Sequence, residues 1–175
     1  MTQEEFLNRY NQSRTIEEAL SKSISAAVQH NRLYNNVPNN QRVQIRNFWS
    51  SSLRQLSNRY VEENWNEPQY ENEIIELKNL MNIMFDELID FRISHSQKSL
   101  SVFFKHLWCL GDFPVPLQCP VDRIILTRAN APHNERSWGF INDIETHRER
   151  YDIIRQAAVA DGFDNVSIWE LENFE

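Results

Sequence analysis

The stretch FRISHSQKSLSVFFKHLWCLGDFPVPLQCPVDRIIL, residues 91–126, decides how this chain folds. In its first half, from about His95 to Leu110, the residues Leu100, Phe103, Leu107 and Leu110 recur at helical spacing. Phe104 and Trp108 widen that apolar side. Gly111 follows, at the position where a helix commonly ends on a residue with positive φ. Pro114, Pro116 and Pro120 then remove three backbone donors and fix φ, so residues 112–120 predict a stiff loop. Pro120 suits the first turn of a second helix over 120–129, apolar at Val121, Ile124, Ile125 and Leu126. The motif is helix, rigid loop, helix.

Outward from that stretch the chain keeps the helical period. Residues 2–12 read as a short helix opened by the capping box Thr2 and Glu5, and Thr15 with Glu18 repeats the signal before Ile16, Leu20, Ile24, Ala27 and Val28. Asn39 or Asn40 is placed to cap a third helix with a stripe of Val43, Ile45, Phe48, Trp49, Leu53 and Leu56. After a break at 64–68, residues 69–91 carry Ile74, Leu77, Met81, Met84, Phe85 and Leu88 on one side, with the methionines read as core. Residues 130–141 predict a loop. Asn142 to Glu145 opens a helix that Gly162 stops, and Ser167 to Glu170 opens a last short one. With only 3 glycines and no alternating strand pattern, the chain is expected to be all-α, with about eight or nine helices. Its 175 residues fit one domain, with 1–91 and 92–175 as two halves on either side of a cleft.

Composition narrows the setting. Two cysteines, Cys109 and Cys119, are too few for a disulfide framework, the N-terminal residues are polar and acidic, and no apolar run approaches the roughly 18 residues of a bilayer span. The expectation is a cytoplasmic protein with no membrane partner. Net charge is −7 but uneven. Residues 91–136 carry 6 basic and 3 acidic side chains, whereas residues 137–175 carry 3 and 9. A locally cationic centre inside an acidic shell suits an anion more than a broad nucleic-acid face.

The spacing H-x2-C-x9-C-x13-H from His106 through Cys109 and Cys119 to His133 matches no standard zinc pattern, so neither metal nor other cofactor is expected. No nucleophile elbow, glycine-rich phosphate loop or Walker pattern is present. Lys98 is the stronger candidate. With Ser101, Lys105 and Cys109 it falls on one helix face, in the first turn, where the helix dipole disfavours a cation. Burial there would favour a neutral, nucleophilic amine, and a neighbouring carboxylate would oppose that shift. Asp122, in the Cys119-Pro-Val-Asp122 turn at a helix start, is the expected carboxylate.

A lysine opening an apolar helix, then a loop, then Pro-Val-Asp at another helix start resembles the helix-hairpin-helix DNA glycosylase superfamily. In that family the hairpin contacts a DNA phosphate, a lysine shortly after it attacks the sugar C1′ in the bifunctional members, and a downstream aspartate assists. Aligned on Lys98, Ser94 to Gln97 takes the hairpin's place, with serines at the two glycine positions, and Asp122 takes the aspartate's. The similarity covers about 35 residues and is shared with a group of uncharacterised bacterial proteins, from which no activity carries over. The resemblance implies an N-glycosylase or lyase acting on a DNA base flipped into the cleft. Lys98 would be nucleophile or phosphate contact and Asp122 its electrostatic partner. Trp108, Phe113 or Trp138 would stack on the base, while His95, Arg92, Lys105 and Arg123 would meet substrate or phosphate. Two other readings stay open on the residues alone. One is a non-enzymatic module that binds a protein partner through the aromatics near Phe113 and Trp138. The other is a sensor of a small anion at Lys98, Lys105 and Arg123.

Overall fold

The computed structural model describes residues 1–111 and 113–174; Asp112, expected to begin the loop, lies outside them. They form eight α-helices: α1 Gln3–Tyr10, α2 Ile16–Val28, α3 Asn39–Glu63, α4 Glu67–Met84, α5 Ile93–Leu110, α6 Arg123–Arg128, α7 Ile144–Ala160 and α8 Val166–Asn173. A 3-10 turn spans His133–Glu135. Among the described residues there is no strand, only an isolated bridge between Tyr34 and Ile89. The all-α expectation is met in a single compact domain.

Most helix starts follow local chemistry. The Thr2–Glu5 capping box forms, the Thr15 side chain accepts from Glu18 N–H, and Asp143 accepts from Thr146 N–H. Other boundaries differ from the expected ones. Pro38, not an asparagine, occupies the cap position of α3. Asn66 forms a capping box with Gln69, so α4 begins two residues before the expected start at 69. Asp143 rather than Asn142 caps α7, and Asn165 caps α8, ahead of the predicted Ser167. The second half of the central motif is shorter than 120–129, because Asp122 is the N-cap residue of α6.

The largest difference is the end of α4. The apolar stripe continues past Met84, but the helix stops there because tertiary hydrogen bonds outcompete it. Asn82 both donates to the Phe91 carbonyl at 2.7 Å and accepts from its N–H at 3.1 Å. Asn35 N–H reaches Leu88 O at 2.9 Å, and Asp90 N–H reaches Leu33 O at 2.8 Å. Met81 is buried, but Met84 is half exposed, and Val43 is likewise exposed rather than part of the α3 stripe.

The expected amphipathic helix, α5, is the axis of the molecule. It packs against α1, α2, α3, α4 and α7, and 15 of its 18 residues are buried. A helix enclosed on all sides is usually apolar all round; this one is rich in serine, histidine and lysine, so its polar groups need internal partners. Ser96 donates to Ile74 O at 2.6 Å, Trp49 Nε1 donates to Ser99 at 3.1 Å, and Ser101 shares a 2.9 Å hydrogen bond with Tyr70. One apolar cluster, including Trp49, Leu53, Tyr70, Ile74 and Phe104, fills the space among α2 to α5. A second, around Val121, Ile125, Tyr151, Ile154 and Trp169, joins α6, α7 and α8. The proline loop between them is held by side chains from several helices. Tyr60 accepts from Leu117 N–H at 3.0 Å, Tyr151 donates to Leu117 O at 2.9 Å, and Ser167 donates to Pro116 O at 2.9 Å. These bonds replace the ladder that prolines deny the loop.

Candidate functional site

Adjacent residues on α5 grip adjacent residues of the proline turn. The Gln97 side-chain amide donates to Val121 O at 2.8 Å and accepts from Val121 N–H at 3.1 Å, a two-point clasp. The next residue, Lys98, forms an ion pair with Asp122 across 24 positions of sequence. Both side chains are nearly enclosed, at 7% and 9% exposure. The second Asp122 oxygen accepts from Ile125 N–H at 3.0 Å, so one carboxylate caps α6 and neutralises the lysine. Burial alone would push this carboxyl up. The Lys98 ammonium and the Ile125 N–H outweigh it, and the group sits below the ordinary carboxylate range.

A second buried pair lies about two turns along α5, where Lys105 Nζ donates to Glu170 of α8 at 2.8 Å. Sequence spacing gave no hint of Glu170, since it comes from a helix 65 residues on. Its other carboxylate oxygen has no hydrogen-bond partner among the described residues, and burial holds the group above its usual range despite the lysine. Lys105 also lies 3.8 Å from the Phe174 ring centroid and 4.8 Å from that of Phe6.

Lys98, Val102, Lys105 and His106 form one wall of a cleft of about 880 Å³ between α5 and α2. The α6 start, Trp138 and rings from both ends of the chain complete it. Its exposed lining is mostly apolar and includes Lys22, Arg46, Lys98, Lys105 and Arg123, of which Lys98 is paired with Asp122, Lys105 with Glu170 and Lys22 with Glu18. The Lys98 ammonium lies 5.8 Å from the centre of the Trp138 ring. Trp138 is positioned from α5 as well: Ser94 donates to Gly139 O at 2.9 Å, and Ser94 N–H donates to Ile141 O at 2.9 Å.

Of the side chains that the sequence placed at a catalytic or substrate site, Lys98, Lys105, Asp122, Arg123 and Trp138 therefore come together, and His106, weighed only as a metal ligand, lines the same cleft. The others do not. Ser101 turns to Tyr70 on α4, and Val102 takes its place in the cleft. His95 is buried, with Nδ1 accepting from Arg92 N–H at 3.0 Å, and Ser94 to Gln97 are likewise enclosed within the first turns of α5. That segment has no open backbone to offer a phosphate. Phe113 stacks on Tyr60 at 5.3 Å, beside a separate groove lined by Ile16 and Arg54. Trp108 packs with the small cluster of Phe6, Leu7 and Leu171. Arg92 pairs with Asp90.

Both cysteines are buried as free thiols. Burial pushes Cys109 up to about 12 and Cys119 well above its usual value. Among the described residues no three His, Cys, Asp or Glu side chains are grouped to hold a metal. Nor is any helix among them long and apolar enough to cross a membrane. No family model matches this sequence, and no curated protein or solved structure is similar to it at a significant level.

Proposed function

We propose that the cleft binds a nucleic-acid base and its sugar-phosphate, with Lys98 as nucleophile and Asp122 as its proton partner. The observation that carries this reading is the Lys98–Asp122 ion pair, nearly enclosed in an apolar cleft that holds four further basic side chains. An amine and a carboxylate in contact can exchange a proton, and the basic lining suits a phosphate-bearing ligand. The 880 Å³ volume is within the range of small-ligand sites.

The chemistry balances without a cofactor. Lys98 passes a proton to Asp122, and the amine lone pair forms a bond to the sugar C1′. The bond from C1′ to the base nitrogen breaks, its electron pair leaves with the base, and Asp122 returns the proton to the base. The bound nitrogen then loses a proton and opens the sugar ring. O4′ takes up that proton, and an iminium links Lys98 to C1′. Borohydride delivers hydride to this iminium and fixes the adduct as a secondary amine.

Incubating the protein with single- and double-stranded oligonucleotides bearing abasic sites or damaged bases, in the presence of borohydride, tests the reading. A covalent adduct that is lost in Lys98→Gln and greatly reduced in Asp122→Asn is expected. No Lys98-dependent adduct across the panel would sink the catalytic claim. The same basic lining favours a second reading, a sensor of a small anionic ligand. Thermal stabilisation by nucleoside monophosphates or inorganic phosphate, without any adduct, would favour it.

A further inference from the structure

The Lys98 cleft does not end at Trp138. His30, Arg123 and Trp138 also line an adjoining groove of about 300 Å³, which continues over Arg136 and Phe140. This second groove has basic and aromatic walls and no acidic side chain among its lining residues. Neither Arg123 nor Arg136 has a carboxylate partner among the described residues, whereas the arginines on α7 are all engaged by acids. Phe140 is 81% exposed, the most exposed large apolar side chain described, and the Arg92 guanidinium lies 5.8 Å from its ring centre. Nothing in the core uses it. Its loop is nevertheless held firmly, through Ser94 to the Gly139 carbonyl and through Ser94 N–H to Ile141. Arg136 Nε donates to the Ala131 carbonyl at 2.8 Å, which fixes its guanidinium without neutralising it. An exposed ring on an anchored loop, beside two guanidiniums that have no acid partner among the described residues, is an arrangement that can stack a base and meet its phosphate.

The basic patch is also short. Glu135, Asp143 and Glu145 belong to the same loop or its flanking helix, and Asp90 pairs with the Arg92 that lies over Phe140; all four carry like charge to a phosphate backbone. A duplex needs cationic contacts to two backbones across a groove; this patch suits one strand. Taking the Lys98 cleft as the base site proposed above, we infer that the groove holds the neighbouring nucleotide of a single-stranded nucleic acid. Its base stacks on Phe140, and its phosphate lies between Arg123 and Arg136.

Fluorescence anisotropy with a short labelled oligothymidylate, against the same strand annealed to its complement, tests this. The single strand is expected to bind about tenfold tighter than the duplex. Phe140→Ala should weaken single-strand binding about tenfold, and Phe140→Trp should restore it. Arg136→Gln should weaken it and reduce the salt slope by about 0.7. Phe140 is solvent-facing, so an unchanged melting temperature checks that its variants are folded. No binding of the strand, equal binding of the duplex, or variants that match the parent would overturn the inference. The two claims separate cleanly. Phe140-dependent binding without a borohydride adduct removes the Lys98 chemistry and leaves the groove, while a Lys98 adduct with full affinity in Phe140→Ala removes the groove and leaves the chemistry.

Discussion

Lys98 and Asp122 occupy surroundings that would be hostile to either charge alone. Lys98→Met is expected to cost about 3–5 kcal/mol, because it leaves a buried carboxylate without its cation. Adding Asp122→Asn, which keeps an acceptor for Ile125 N–H, should recover most of that loss. Urea midpoints at unchanged m-value read both outcomes. Histidines give the pH dependence. Burial holds His95 down to about 4, His106 to about 3 and His147 to about 4, from an ordinary 6.5. Between those values the unfolded chain binds more protons than the folded one, so stability is lost as pH falls below about 6.5. Near pH 5 the three together approach about 4 kcal/mol per pH unit. His147→Gln should lower that slope by about one proton, measured by urea unfolding across pH; an unchanged slope would show that His147 titrates normally. The lowered Asp122 carboxyl adds to the acid loss at still lower pH, and the raised Glu170 carboxyl opposes it.

The element that positions the site is α5, and its grip on the proline turn is testable through Gln97. Gln97→Leu leaves the buried Val121 N–H and C=O without partners and frees the turn that carries Asp122. A loss of about 2–4 kcal/mol is expected, together with a marked fall in any Lys98-dependent adduct. A stability loss with full adduct yield would limit Gln97 to a structural role. At the other end of α5, Gly111 has φ +109 with open space around its Cα. Gly111→Ala therefore meets backbone strain and no clash, and should cost about 1 kcal/mol in the same unfolding assay. The sequence located both ends of this helix to within two residues but misread its surroundings. Its apolar face was legible, whereas the enclosure of Ser96, Ser99 and Ser101 was not, since their partners Ile74, Trp49 and Tyr70 lie on other helices.

For the whole molecule, α5 is shared between the first apolar cluster and the elements that carry the second, and α8 closes the site by placing Glu170 on Lys105. Removing residues 166–175 would strand Lys105 and delete the buried Trp169 and Leu171. Such a truncation is expected to lose its cooperative thermal transition, because a domain of this size has only a small stability margin. Helix content, the caps at Thr2 and Thr15, and the turn that brings Asp122 to a helix start were all determined by the sequence, because capping and proline restriction act within a few residues. Tertiary structure alone decided that α4 ends at Met84, that Glu170 meets Lys105, and that His95, Trp108 and Phe113 stand outside the cleft. Those outcomes depend on hydrogen bonds and packing between residues far apart in the chain, which no local period encodes.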